Sequence, residues 1–418
     1  MKKTIQLFSV VAALLLTNQA TAQLSSGDCF LKAAHVELGI DTLGWFGSSF
    51  AAPAGYHADF TGGRLGFIAD PDMDGWTVGT PAFYGDFFLP GTPFEGWELQ
   101  FDTTKVRAFN GTALTTGVSG SNISYTSVGS VNTGVWQGSF HGLTLKQETS
   151  LDTNAMYFVV RVTVTNTDTV AHNNIYYFRT LDPDNEQMQT GAFSTNNYVR
   201  YNRPTDSVSL VTATGVVHTN AYLGLGTADT NSRALIYTSW PLSATTDIST
   251  VYNQTCTSIG TSYYVDSAMN LDIAIGLIFN IGHLAPVDSA ADSVVRTTSM
   301  GLHPANSKTV TFFYSFTPAG SDSALVATGA HNPPVGISNT NNASSIVVYP
   351  NPVKNILTIS GLATTDNYTL VNMMGRSVKF GHGVSNTIST TDLPVGGYIL
   401  LVTDADGSIK AKIPVQKN

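Results

Sequence analysis

The sequence is poor in charged residues. Only 12 % of its 418 residues are Asp, Glu, Lys or Arg, against about 25 % in an ordinary soluble domain. Lys and Arg number 20 against 29 Asp and Glu, so the net charge is -9. A protein that binds nucleic acid needs surplus cations to release phosphate counterions, so no nucleic-acid partner is expected. Hydrophobic residues still reach 42 %, which argues against a disordered acidic chain.

Cysteine is also scarce, because Cys29 and Cys256 are the only two in the sequence. Two cysteines exclude a disulfide-dense scaffold and most zinc modules. In an oxidising compartment this pair predicts one disulfide that closes a very long loop of the chain. Two unrelated thiols are the alternative interpretation.

Apolar runs long enough to cross a membrane are missing as well. At the N-terminus, Lys2 and Lys3 precede a short apolar run over 7–16, and Ala-Thr-Ala follows at 20–22. A basic start, a short apolar core and a small-x-small site are typical of a secretory signal peptide, which we predict over 1–22. The run has about half the ~20 residues of a spanning helix, so no transmembrane helix is expected in the mature chain.

The sequence shows no long stretch with the spacing of an amphipathic helix, and β-branched and aromatic runs take its place. The runs that predict strands in the middle of the chain are 156–164, 175–179, 235–238, 271–279 and 310–316. Short strands separated by frequent turn residues predict an all-β fold. Residues 23–330 exceed a single small sandwich, so we expect one large β-sandwich, supersandwich-like, or two abutting sandwiches.

A stretch rich in Pro, Gly and Asn at 331–343 predicts a linker, and a compact module follows at 344–418. Seven short strands are predicted in this module, at 346–349, 356–360, 368–372, 377–380, 386–389, 397–403 and 409–415. Seven strands at this regular spacing are typical of a small immunoglobulin-like β-sandwich.

The C-terminal module carries three motifs in a fixed order. They are Tyr349-Pro350-Asn351-Pro352, a turn with Gly375-Arg376, and a strand start at Leu393-Pro394-Val395-Gly396-Gly397-Tyr398. The two prolines favour an extended leading segment and the glycines permit tight turns. An ordinary immunoglobulin-like adhesion domain is the alternative.

With these motifs, the module resembles the C-terminal sorting domain of the type IX secretion system of Bacteroidota, the Por secretion type A tail. The resemblance implies the type IX machinery as a partner and transport across the outer membrane. It also implies a location at the cell surface or in the extracellular space. It covers about a sixth of the chain and leaves the family of the cargo region open.

The first candidate metal site is an acidic loop in which Asp70, Asp72 and Asp74 alternate and a glycine follows. Alternate carboxylates on a tight loop can converge on one point, which suits calcium and its oxygen ligands. The backbone carbonyl of Trp76 would be a further ligand. Pro81 stands where an EF-hand has its closing glutamate, so the loop departs from that motif. A solvated acidic turn is the alternative.

A second acidic loop holds Asp182, Asp184 and Asn185 directly after a predicted strand. Two carboxylates and an amide oxygen at the end of a strand form a second candidate calcium site. An Asx-type turn that caps the strand is the alternative.

An aromatic-rich segment, residues 76–101, lies between the two loops. Aromatic rings beside Asp and Glu can form a platform on which sugars stack, and core packing is the alternative. The sequence has no Gly-x-Ser-x-Gly elbow, His-Glu-x-x-His motif or Gly-rich phosphate loop. No catalytic residue is assigned, and enzymatic activity is left open.

Three functions fit these observations. The leading hypothesis is a secreted cell-surface β-protein for adhesion or binding, with calcium-stabilised loops and with glycans or surface polysaccharide as candidate partners. The second is a secreted carbohydrate-active enzyme, a lyase or a hydrolase, on a supersandwich fold. The third is a structural component of a surface layer.

Overall fold

The computed structural model describes residues 21–77, 83–91, 95–110, 117–204, 206–237, 242–254, 263–264, 268–287, 306–330, 346–372, 377–403 and 409–418. The chain divides into two units, residues 1–333 and 334–418. Strands are the main secondary structure of the described residues, and helices are few, so the all-β fold predicted from the sequence is confirmed.

The larger unit contains 19 described strands. In chain order they are β1 (Thr21–Ser25), β2 (Asp28–Lys32), β3 (Val36–Ile40), β4 (Phe67–Ala69), β5 (Glu95–Phe101), β6 (Thr104–Phe109), β7 (Gly120–Val128), β8 (Val131–Phe140), β9 (Leu143–Asp152), β10 (Tyr157–Asn166), β11 (His172–Leu181), β12 (Thr195–Tyr201), β13 (Ser209–Gly215), β14 (Tyr222–Thr227), β15 (Ser232–Tyr237), β16 (Tyr263–Tyr264), β17 (Ala268–Leu271), β18 (Ala274–Leu284) and β19 (Ser307–Ser315). Its described helices are α1 (Gln187–Thr190), α2 (Ile248–Gln254), α3 (Pro318–Ala327) and a 3-10 turn at Thr61–Gly63.

Two large antiparallel sheets form this unit. One has nine strands in the order β17-β12-β13-β14-β19-β10-β9-β8-β7, and the other has six in the order β16-β15-β18-β11-β5-β6. Every second residue of β8, β9 and β10 is buried, as expected for strands with one face on a core. Residues of both sheets share one hydrophobic core, which is the arrangement of a large sandwich.

The six-stranded sheet is covered on its outer face as well. Ile248 and Val251 of α2 pack with Phe178 of β11 in a second apolar cluster. Strands β11 and β18 are therefore buried on both faces over most of their length, which explains the apolar runs at 175–178 in β11 and 274–279 in β18. The larger unit also contains a four-stranded sheet in the order β1-β2-β3-β4. The first acidic loop begins directly after β4.

The smaller unit contains the seven strands that the sequence predicted. They are β20 (Val347–Tyr349), β21 (Ile356–Ser360), β22 (Asn367–Asn372), β23 (Ser377–His382), β24 (Thr387–Ser389), β25 (Gly396–Thr403) and β26 (Ile409–Lys417). They form a three-stranded sheet, β20-β21-β24, and a four-stranded sheet, β23-β22-β25-β26. Residues of both sheets enclose the core of this unit. A small C-terminal β-domain is thereby confirmed.

Among the described residues, no helix has both the length and the hydropathy that crossing a membrane requires.

Candidate metal centre

Strand register brings three aspartates together at one end of the six-stranded sheet. Asp182 and Asp184 follow β11, and Asp272 precedes β18. These strands are antiparallel neighbours, with Leu181 of β11 opposite Ile275 of β18. The end of β11 therefore lies beside the start of β18, which places Asp272 next to the second acidic loop.

The three aspartates form a compact group of oxygen ligands. One carboxylate oxygen from each of Asp182, Asp184 and Asp272 lies within 4.8 Å of the other two. It is the only such group among the described residues, and it can hold a metal ion. Asp182 and Asp184 are buried, while Asp272 is exposed and keeps the group next to solvent.

The buried oxygens of this group lack hydrogen-bond donors. Oδ1 of Asp182 and both carboxylate oxygens of Asp184 have no hydrogen-bond partner. The backbone N–H of Gly91 lies near Asp184 and lowers the pKa of that carboxyl. It does not form a hydrogen bond with either carboxylate oxygen. Buried polar atoms are nearly always paired, and an unpaired buried carboxylate is costly. A bound cation would supply the missing partner.

The same surroundings shift the proton affinity of the group. Burial, the neighbouring negative charge of Asp272 and a hydrogen bond with the Asp272 carboxyl together raise the pKa of Asp182 to about 8. Burial and the charges of Asp182 and Asp272 raise the pKa of Asp184 to about 9. Without a cation these carboxyls hold protons at neutral pH, and a metal ion would displace them.

Two neighbours shape the site around Asp184. Nδ2 of Asn185 donates to the carbonyls of Ala213 at 2.9 Å and Ala221 at 2.7 Å, so the amide is held in place. Its buried Oδ1 accepts no hydrogen bond and is a further oxygen that a cation could use. A Cβ on Gly91 would fall 1.9 Å from Oδ2 of Asp184. Any residue other than glycine would therefore displace that carboxylate.

The first acidic loop is closed by its own hydrogen bonds. Oδ1 of Asp70 accepts the backbone N–H of Asp74 at 3.2 Å, and Oδ2 accepts that of Gly75 at 3.1 Å. Asp72 and Asp74 are exposed. Calcium at this loop, with Asp70, Asp72 and Asp74 as ligands, stays a prediction.

Trp76, the remaining predicted ligand of the first loop, has an indole ring that stacks on His57. The ring centroids are 4.7 Å apart and the planes differ by 2°. Nδ1 of His57 lies 2.7 Å from Oε1 of the buried Glu37. The stack anchors the end of the first loop, and a carbonyl ligand from Trp76 stays a prediction.

Residues 218–220 make hydrogen bonds to side chains of both acidic loops. Oε2 of Glu186, which follows Asn185 in the second acidic loop, lies 2.9 Å from Nδ1 of His218. Two residues on, Oδ1 of Asn220 accepts the hydroxyl of Tyr84 at 2.7 Å, and its Nδ2 donates to Asp72 at 3.3 Å. Tyr84 packs against the His218 ring with centroids 5.0 Å apart.

The two glutamates of the aromatic-rich segment point to opposite faces of β5. Glu95 pairs with Arg179, and Glu98 pairs with Arg107 at 3.1 Å and Lys105 at 3.1 Å. Both glutamates are buried. The described aromatic residues of the segment other than Trp76 are buried as well: Phe83, Tyr84, Phe87, Phe88, Trp97 and Phe101.

Cys29 is buried on β2. Its predicted partner, Cys256, lies outside the described residues, and the disulfide stays a prediction.

In the smaller unit, one motif residue connects the leading segment to the last strand. Nδ2 of Asn351, between Pro350 and Pro352, donates to the carbonyl of Pro414 at 2.8 Å. Its Oδ1 accepts the backbone N–H of Gln416 at 2.8 Å. The Tyr-Pro-Asn-Pro motif therefore holds the segment after β20 against β26.

The other motif residues frame β25. Tyr349 ends β20, and Gly397 and Tyr398 lie at the start of β25. The hydroxyl of Tyr398 donates to the carbonyl of Pro394 at 2.8 Å, which braces the turn before the strand. Gly375 and Arg376 lie outside the described residues.

Residues 347–416 match the family described as "Secretion system C-terminal sorting domain". This segment is a type IX secretion sorting domain. The resemblance found in its motifs is thereby confirmed. The sorting domain directs the protein across the outer membrane to the cell surface or the extracellular space, which confirms the predicted location.

The cargo region has no such assignment. No curated protein matches the chain. Among solved structures, a polysaccharide lyase is similar at 10 % identity and a TM-score of 0.29, with 96 % of this chain and 46 % of that one covered. A putative kojibiose phosphorylase from the human microbiome has 10 % identity and a TM-score of 0.29, with 72 % and 32 % covered.

A third solved structure is PorZ, a surface component of the type IX secretion system of Porphyromonas gingivalis. It has 10 % identity and a TM-score of 0.17, and the match covers 95 % of this chain and 59 % of that one. The chain spans less than half the length of the polysaccharide lyase and of the phosphorylase described above. TM-scores this low carry no argument about the function of the cargo.

Proposed function

We propose that the exported cargo, residues 23–330, is a cell-surface binding protein that is stabilised by calcium at Asp182, Asp184 and Asp272. The observation that carries this proposal is the group of three carboxylates within 4.8 Å, with buried oxygens that lack hydrogen-bond partners. Export to the surface, which the sorting domain directs, gives such a protein access to extracellular ligands.

The ligand chemistry favours calcium over a transition metal. The three carboxylates offer only oxygen atoms, and Oδ1 of Asn185 is another oxygen without a partner. Calcium takes about six to eight oxygen ligands in flexible geometry, whereas zinc, copper and iron sites usually include His or Cys. The exposed Asp272 leaves room for water to complete the coordination.

Calcium binding can be tested by thermal unfolding of the full chain in chelator and in added calcium. A ligand present at about 100 times its Kd stabilises the folded state by ~2.7 kcal/mol. We expect a clear rise in Tm with calcium and none for Asp184→Asn. Asp28→Asn is the matched control, because Asp28 is equally buried but accepts backbone N–H groups of Ser49 and Phe50. Its Tm should still rise with calcium, and an unchanged Tm of the wild type would overturn the site.

Glu95 and Glu98 do not have the arrangement of a glycosidase pair. Glu95 and Glu98 are held in buried ion pairs on opposite faces of one strand. A glycosidase needs two carboxylates that flank a single bond, and these two do not share a face. A glycan array probed with the full chain, with and without chelator, tests the proposal: retention without turnover supports it, and release of product contradicts it.

One arrangement favours the carbohydrate-active enzyme as a second candidate. Tyr84 and His218 lie in ring contact beside Asn220, and Glu186 can hold Nδ1–H of His218 so that Nε2 acts as a base. Histidine and tyrosine are common acid–base groups. Release of reducing ends from a polysaccharide, lost in both Tyr84→Phe and His218→Ala, would establish this function.

Self-assembly of the pure protein without glycan binding would favour the surface-layer hypothesis.

A further inference from the structure

We propose that the outer face of the four-stranded sheet in the sorting domain is the surface that docks on the type IX export machinery, with Phe380 as its anchor. The proposal goes beyond the assignment of the domain, because it names the face and the chemistry of the partner. That partner offers a hydrophobic groove that accepts a phenyl ring.

Strand register defines this face. Thr369 of β22 stands opposite Phe380 of β23 on one side and opposite Leu401 of β25 on the other. The next row places Val371 of β22 opposite Ile399 of β25. Because directly opposed residues share a face of a sheet, these five side chains lie on one surface, which we call the outer apolar face.

The opposite face of the same sheet already covers the core of the domain. Leu370, Leu400 and Val402 alternate with the residues of the outer apolar face and are fully buried. Ile399 and Leu401 are only partly buried and lie outside that core. The outer side of the sheet is therefore mixed. Val371, Ile399, Leu401 and Phe380 form an apolar patch around Thr369, and the next row holds the polar Asn367, His382 and Thr403.

The outer side of the nine-stranded sheet in the cargo provides a comparison for this face. The outer side of the nine-stranded sheet carries cross-strand hydroxyl pairs, Thr163 with Thr309 at 2.8 Å and Thr133 with Ser150 at 3.1 Å. The exposed Arg161 lies on the same side of β10 as Thr163. The outer apolar face instead brings four apolar side chains of three neighbouring strands together around an exposed phenyl ring, and contiguous apolar surfaces mark interaction sites.

The export machinery is the partner that we expect to bind the outer apolar face. It lies in the domain that directs the protein through the secretion system, and recognition must use the surface of that domain. Phe380 is 82 % exposed, so its ring contributes little to folding and is free to enter a partner. Aromatic side chains that fill a pocket dominate the binding energy of interfaces.

The test compares export of full-length variants in a bacterium that has the type IX machinery. We expect Phe380→Ser and Leu401→Lys to reduce the extracellular fraction roughly tenfold or more, the usual effect of losing an interface anchor. Val384→Ser is the matched control, because Val384 is 84 % exposed but lies between β23 and β24, off the face. It should be exported like the wild type.

Thermal unfolding of the purified Phe380→Ser protein should match the wild type, which separates loss of docking from loss of folding. Export of Phe380→Ser at the wild-type level would overturn the proposal. A wild-type dimer that Phe380→Ser dissociates, with export unchanged, would also overturn it and assign the face to a second copy of the chain.

Discussion

Arg179 and Glu95 form a two-pronged ion pair in the centre of the cargo sandwich. Nε of Arg179 donates to Oε1 of Glu95 at 2.6 Å, and Nη2 donates to Oε2 at 2.9 Å. Both side chains are fully buried. The hydroxyl of Tyr314, from the nine-stranded sheet, donates to Oε1 at 2.9 Å. Through Tyr314, the ion pair connects the two large sheets. These hydrogen bonds can form only when the strands of the two sheets are aligned in one way.

Replacing Arg179 with Met should destabilise the cargo strongly. The substitution leaves Glu95 as a buried charge without its main partner, and breaking a buried pair in this way costs about 3–5 kcal/mol. Urea unfolding of the full chain measures the loss. Lys146→Ala, at the exposed pair with Glu148, should cost less than about 1 kcal/mol. Equal effects of the two substitutions would contradict a structural role for the buried pair.

Stability of the calcium-free protein should fall as the pH rises. The pKa of Asp182 is raised to about 8 and that of Asp184 to about 9, so between about pH 4 and 9 the folded state holds protons that the unfolded chain has released. The unfolded state then binds fewer protons, and the free energy of unfolding decreases with pH.

The measurement is Tm in chelator across this range. Asp184→Asn should flatten the decline, because the neutral amide does not titrate. A Tm in chelator that rises steadily from about pH 5 to 9 would show that other groups dominate the dependence.

Gly91→Ala should weaken calcium binding more than it weakens the fold. The new methyl group would fall 1.9 Å from Oδ2 of Asp184 and force that carboxylate out of the group. Isothermal titration with calcium should show a loss of affinity of roughly tenfold or more, as for other changes that disturb metal ligands. A wild-type calcium affinity in this variant would exclude Asp184 as a ligand.

Asn351→Ala should loosen the last strand of the sorting domain. The substitution removes the hydrogen bonds to Pro414 and Gln416, each with a net value of about 0.5–1.5 kcal/mol. Hydrogen exchange measured on the peptide that contains Gln416 should become faster. Asn386→Ala, on an exposed loop position, should leave the exchange of that peptide unchanged, and equal exchange in both variants would argue against the role of Asn351.

Local patterns were sufficient for much of the fold. The seven strands of the sorting domain follow from turn residues at regular spacing, and β10, β11 and β19 follow from β-branched and aromatic runs. The second acidic loop was also visible, because Asp182, Asp184 and Asn185 stand together directly after a strand. These features depend on neighbours in sequence, which is why sequence reasoning reaches them.

The sequence by itself therefore determined the all-β class, the sorting domain and two of the three carboxylates of the candidate metal centre. Only the tertiary structure placed Asp272 beside them, because its position depends on the register of β18 against β11. A single aspartate before an apolar strand carries no local signal of a ligand. The same holds for the ion-pair partners of Glu95 and Glu98, which strand pairing brings from other positions in the sheet.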